Sequence, residues 1–210
     1  MQSGEAEEDI AATATVQRCR AGSSSGTSML IPSTLARSAC PHSTLKSHIT
    51  EHRTDEGKLY MCAVKDVFSN KIVGYTIDAR MKSRLAVAAI EDAVARRGGP
   101  RAVTGCVVHS DRGSQFRSRK FQHALKRLGL AGSMGRVGAA GDNAAMESFF
   151  AVLQKNVLNR RRWATRAQLR TAIVHWVERT YHQKRRQRRL GKLTPVEYEL
   201  VHHKAVALTA

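Results

Sequence analysis

Two apolar runs, "KLYMCAVKDVF" at 58–68 and "KIVGYTID" at 71–78, are separated only by Ser69 and Asn70. Runs rich in β-branched and aromatic residues, joined by a tight polar pair, predict an antiparallel hairpin. The apolar period then changes from strand-like to helical. Ser83 is placed to cap "RLAVAAIEDAVARRGGP", where Val87, Ile90 and Val94 share a helical face and Gly98-Gly99-Pro100 ends it. "GCVVHS" (105–110) then reads as a buried strand, and Ser118 opens a helix with Phe121, Leu125 and Leu128 on one stripe, stopped at Gly129.

"AGSMGRVGAAG" (131–141) reads as a glycine-rich loop. Asp142 caps a helix carrying Met146, Phe150, Leu153 and Val157, and a last helix runs from Thr165 through Leu169, Ile173 and Trp176 towards Tyr181. A hairpin followed by alternating strands and helices predicts an α/β fold, a mixed sheet flanked by helices. A ribonuclease-H-like arrangement satisfies that order, as do several other α/β folds.

Residues 1–46 are different. They contain no Phe, Tyr or Trp, hold a linker-like "AGSSSGTS", and keep no helical or alternating period. A disordered or irregular N-terminal leader is expected there, with order from about residue 47 to 199 and a short tail at 200–210. The N-terminus lacks the basic-then-apolar order of a signal peptide, and no apolar run reaches membrane-spanning length, so a cytoplasmic protein is expected. The four cysteines form no CxxC pair and predict reduced, mostly buried thiols. His48 and His52, with Cys40 upstream, lack the second close pair that a zinc site needs.

Charge narrows the partner. The chain carries 35 Lys and Arg against 17 Asp and Glu, a formal net charge of +18. Residues 1–46 hold four acids and four bases, so the excess lies downstream. It is densest from Arg160 to Lys192, where Arg160, Arg161, Arg162, Lys184, Arg185, Arg186, Arg188 and Arg189 cluster. DNA is the favoured partner for such a balance, with a solvated helix face as the structural alternative. Trp163 is placed to staple the start of the last helix, and Trp176 and Tyr181 read as core packing, with base stacking as the alternative for these aromatics.

Within this basic chain, "HSDRGSQF" (109–116) places Asp111 at the end of a strand. An aspartate there is ordinarily turn chemistry. Glu147, at the edge of the Met146 and Phe150 stripe, read alone is an exposed helix glutamate. Together, an acid on a strand end and an acid on a facing helix are what an all-oxygen Mg²⁺ or Mn²⁺ site for phosphoryl transfer uses.

"HSDRGSQF", "GSMGRVGAAGDNAAMESFF" and "YHQKRRQRRLGKLTPVEYE" resemble the orfB-type transposases of bacterial insertion sequences, which have a retroviral-integrase-like catalytic core. Thirty-five residues separate Asp111 from Glu147, the spacing between that family's second and third acids. The resemblance spans about residues 47–199. It implies a ribonuclease-H-like fold, two Mg²⁺ or Mn²⁺ ions, DNA integration by strand cleavage and transfer at element ends, and a homo-oligomer. Asp111 and Glu147 would be the catalytic metal ligands. Ser110, Arg112, Gly113, Ser114 and Gln115 belong to the same motif, with His109 before it and Asn143 in the "DNA" triplet. Asp66 matches an acidic family position and is expected either to support structure or to stand behind the metal ligands, rather than to hold metal itself.

The resemblance breaks at its first acid. The family has Trp-x-x-Asp-x-Thr on the opening strand, whereas "LKSHITEH" puts Leu45 at the Trp position and His48 at the Asp position. Glu51, three residues on, should face the other side of the strand, and Asp55 falls in a turn. His182 and Gln187 also depart from the family's usual Asn and His. Three functions are compatible with these residues: an active transposase, a catalytically impaired remnant that binds DNA, and a general nuclease or basic structural protein. His48 favours the second over the first, and the acid spacing disfavours the third. A leader arising from a frameshift, truncation or misassigned start is the simplest account of where the similarity begins.

Overall fold

The computed structural model describes residues 44–134 and 144–207, with side chains through His202. Five strands form one sheet: β1 (Thr44–Thr54), β2 (Gly57–Asp66), β3 (Ile72–Asp78), β4 (Val107–Ser110) and β5 (Ala131–Met134), in the order β3-β2-β1-β4-β5. The β1–β2 and β2–β3 pairs are antiparallel; β1–β4 and β4–β5 are parallel. The mixed sheet expected from the sequence is present, including the β2–β3 hairpin. Thr44–Lys46, assigned to the leader from the sequence, are part of strand β1; the rest of that expected leader, residues 1–43, lies outside the described residues.

Strand alternation divides the core. On one face, Leu45, Cys62, Val64 and Val108 pack with Leu85, Ile90 and Val94 of α1 (Ser83–Arg96). Helices α2 (Pro100–Val103), α3 (Ser114–Arg117) and α4 (Arg119–Arg127) complete that side, where Phe116 meets Phe121 edge to face with centroids 5.2 Å apart. On the other face, Leu59, Met61, Ala63 and Ile72 pack with α5 (Ala144–Asn156) and α6 (Arg166–His175). A π-helical turn, Trp176–Tyr181, extends α6. The last helix, α7 (Pro195–Ala207), continues beyond the expected boundary at 199.

Gly74 explains the tight seating of α1. A Cβ there would lie 2.4 Å from the Ala89 carbonyl oxygen and 2.5 Å from the Ala93 nitrogen. Only the missing side chain lets the β3 backbone approach the α1 backbone this closely.

Several local expectations need correction. Ser83 is the first helical residue rather than a cap; Lys82 occupies the N-cap position without a side-chain hydrogen bond. Ser118 and Thr165 do cap, accepting from the Phe121 and Gln168 amides. Residues 131–134, expected as loop, form β5, because the parallel ladder to β4 supplies backbone partners that no local signal announces. On α5 the fully buried aromatic is Phe149 rather than Phe150. Phe149 packs against Trp176 and Tyr181, at 6.2 and 5.1 Å between centroids, which fixes the helix rotation. Cys62 is a buried free thiol, as expected, and Cys106 is buried as well. Asp142, Asn143 and the glycine-rich residues 135–141 lie outside the described residues.

Candidate active site

The parallel register sets Ser47 beside Ser110, so the next residues, His48 and Asp111, emerge together at the end of the β1–β4 ladder. His48 Nδ1 lies 2.9 Å from Asp111 Oδ2. The other carboxylate oxygen, Oδ1, accepts the Gly113 amide at 2.7 Å. The His48 hydrogen bond, helped by Gly113, holds the Asp111 carboxyl below its usual range against the opposing effect of partial burial. A Cβ at Gly113 would lie 2.8 Å from Asp111 Oδ1 and would push that carboxylate out of its present position.

The rest of the motif places this carboxylate. Ser110 is buried at the strand end, Phe116 anchors α3 in the core, and Gln115 reaches the Met81 carbonyl at 3.5 Å. Arg112 and Ser114 are exposed. His109 faces β5, with Nδ1 3.3 Å from Ser133 Oγ.

Glu147 is exposed in the first turn of α5. It lies one turn before Phe150, whose ring centroid is 5.5 Å from that of His48. Residues three apart share a helix side, so Glu147 belongs to the α5 side that flanks the His48–Asp111 pair. Among the described residues, no group of three His, Cys, Asp or Glu side chains is arranged to hold a metal ion.

The pair itself supplies one imidazole and one carboxylate. Mg²⁺ takes oxygen ligands in near-octahedral geometry. Position 48 offers an imidazole, which suits softer transition metals, and both Asp111 oxygens already accept hydrogen bonds. These side chains do not fit a two-metal oxygen site.

No other acid substitutes for His48. Asp66 is fully buried and points to the α1 face, where Oδ2 accepts from Arg97 at 2.6 Å. Arg97 also donates to Glu199 at 2.6 Å, and Glu199 takes Lys71 at 2.9 Å and the Ser69 hydroxyl at 2.7 Å. Asp66 therefore belongs to an ion network that ties α7 to the core. Glu51 also sits on the α1-facing register of β1 and pairs with Lys58 at 3.0 Å. Asp55 is in the β1–β2 turn, 2.7 Å from Arg162 Nε. His52 lies four residues along the strand from His48, about 13 Å at the usual rise, too far to share one zinc ion.

The basic residues divide into two groups. Arg160, Arg161 and Arg162 lie near the β1–β2 turn. Arg161 stacks over Trp163 at 4.3 Å, and Arg162 pairs with Asp55. Lys184, Arg185, Arg186, Arg188 and Arg189 lie at the other end of β2, where Arg185 to Arg189 surround a cavity of about 570 Å³ that also takes in Lys65 and Ser148. That Lys65 lines a cavity was not legible from the sequence, because a lysine in an apolar strand gives no hint of what faces it. His182 is structural. Its Nε2 accepts the Ile72 amide at 3.1 Å, so Nδ1 carries the proton towards Glu178, 3.2 Å away.

Two integrase core domain profiles match the chain, over residues 38–140 and 128–195. This chain belongs to the integrase-core transposases of insertion sequences. It is 37% identical over 159 residues to the transposase InsF of insertion sequence IS3A from Escherichia coli K12, covering 76% of this chain and 54% of that protein. It is 34% identical over 164 residues to the transposase of IS904 from Lactococcus lactis, covering 78% and 63%. The chain thus spans between about half and just under two thirds of the length of these relatives. Its fold matches the catalytic core of BIV integrase (TM-score 0.57, 18% identity, 79% of this chain and 99% of that one). It also matches the HTLV-2 integrase core in complex with magnesium (TM-score 0.55, 16% identity, 75% and 95%). The fold is ribonuclease-H-like, as the sequence resemblance implied.

Proposed function

We propose that this chain is a transposase core that binds DNA but is impaired in strand cleavage and transfer. The observation that carries this reading is the 2.9 Å hydrogen bond from His48 to Asp111. An imidazole replaces the expected carboxylate and occupies an oxygen of the second acid. Removing that carboxylate takes away one negative charge and one oxygen donor of the kind a hard cation prefers.

The retained parts have definite roles in this reading. Gly113 and Ser110 hold Asp111 at the strand end. Lys65 Nζ donates to the Ala145 carbonyl at 2.9 Å and so fixes the turn of α5 that carries Glu147. The basic groups near Arg160 and Arg185 provide contacts to the DNA backbone, as the charge of the chain requires of a polyanion partner. The protein would act on DNA in the cytoplasm, as a homo-oligomer if active. A second reading, an inactive remnant that only binds DNA, draws on the same hydrogen bond.

Incubation with labelled element-end DNA and Mn²⁺ separates them. An impaired transposase gives weak joining that disappears in Glu147→Gln. A remnant gives DNA binding without product. Efficient joining by the natural chain would overturn both.

A further inference from the structure

We propose that the cavity under the start of α5 is a phosphate site that seats a backbone phosphate of DNA beside the turn carrying Glu147. The proposal deepens the reading of the chain as a DNA-binding transposase core and rests on it.

Lys65 is the starting observation. It is 4% exposed, the penultimate residue of β2, and it faces α5. Its bond to Ala145 uses one of three ammonium donors. Lys46 lies directly opposite it in the β1–β2 register. Burial first, then Arg189 and Lys46, pull its pKa down to about 8. Positive charges drawn together around a buried ammonium group make the position favourable for an anion.

The arginines come from a braced loop. Gln187 N donates to the Leu193 carbonyl and Lys192 N to the Gln187 carbonyl, both at 3.0 Å, and Leu190 is buried beneath. Arg186 is committed to that bracing, donating to the Lys192 carbonyl at 3.2 Å and facing Glu197 at 3.5 Å. Arg185, Arg188 and Arg189 are exposed and, with Lys65, line the cavity; among the described residues lining it, none is acidic.

A guanidinium cluster with an ammonium group matches a phosphate, which accepts forked and point-charge donors alike. The cavity's aromatics, Phe149 and Tyr181, are buried in the core and offer no face for a base to stack on. The ligand is therefore backbone rather than base. Because Lys65 also holds the first turn of α5, an anion bound to it contacts the support of Glu147.

The test uses fluorescence anisotropy with labelled duplex DNA in EDTA across a salt series. It compares the natural chain, R188Q/R189Q, and a charge-matched control, R101Q/K120Q, on α2 and α4 at the opposite face. R188Q/R189Q should weaken binding roughly tenfold and reduce the salt slope by about 1, as loss of one phosphate contact does. The control should weaken it less than threefold. Equal losses in both pairs would overturn the site while leaving DNA binding intact. If the natural chain binds no DNA, the functional reading fails, and inorganic phosphate at matched ionic strength decides the rest. A thermal midpoint raised by phosphate in the natural chain but not in R188Q/R189Q leaves an anion site for free phosphate. No difference removes the site as well.

Discussion

His48 Nδ1 sits 2.9 Å from Asp111 Oδ2, at the point where β1 and β4 leave their parallel ladder. The contact is a consequence of register. Ser47 and Ser110 are partners, so whatever occupies position 48 must meet Asp111. A carboxylate there would give two like charges that a bound cation or a shared proton must reconcile. An imidazole gives a hydrogen bond that needs no cation.

His48→Asp should reverse this. Without metal, the new carboxylate repels Asp111 and the thermal midpoint falls below that of the natural chain. With Mn²⁺ or Mg²⁺ the variant regains stability, by about 2.7 kcal/mol at a metal concentration of one hundred times Kd. The natural chain should show little change. Thermal denaturation with and without metal reads both effects, and a metal response of the natural chain equal to that of the variant would contradict the proposed role of His48.

Asp66 and Glu147 should separate cleanly by stability. Asp66→Asn leaves the buried Arg97 with less compensation and should cost about 3 kcal/mol in urea denaturation. Glu147→Gln, at an exposed helix position, should change stability by less than about 0.5 kcal/mol. Comparable costs would mean that Glu147 has a structural role.

Acid should destabilise the protein in two steps. Burial pushes the His52 imidazole down from 6.5 to about 4, and its Nε2 is buried without a hydrogen-bond partner. The unfolded chain takes up that proton first. The contribution is therefore complete above pH 6.5 and is lost as pH falls to about 4, an effect of about 3 kcal/mol. His182, lowered by burial, adds in the same direction. Burial would raise Glu199, but Arg97, Lys71 and Ser69 outweigh it and hold the carboxyl at about 2, so its share is lost between pH 4.5 and 2. Urea midpoints measured from pH 7 to pH 3 should show both windows, and His52→Leu should flatten the upper one.

Gly74→Ala tests the packing of α1. The added methyl would meet α1 backbone at 2.4–2.7 Å, and a backbone cannot turn aside as a side chain can. The helix must lift from β3, at a cost of about 3 kcal/mol. A variant as stable as the parent by chemical denaturation would show that the contact yields easily.

Much of the fold was legible because it depends on local period. The β2–β3 hairpin, α1, α4 and α6 each carry their apolar pattern and their stops within a dozen or so residues. Asp111 and Glu147 stand out in the sequence only through their spacing and the family resemblance. Other features depend on partners distant in sequence. β5 is only Ala-Gly-Ser-Met, exposed over much of its length, and is a strand because β4 lies beside it. Phe149 replaces Phe150 in the core because Trp176 and Tyr181 set the helix rotation. Lys65 lines a cavity only because the distant Arg185–Arg189 segment lies beside it.

The sequence by itself determined the class of sheet, the basic character and the identity of the residue at position 48, since composition and period are properties of the chain. Tertiary structure decided which side chains meet. It turned Asp66 to the α1 face and into an ion network, and placed His48 against Asp111. Strand alternation and register make those choices, and a shift of one residue in either would reverse them.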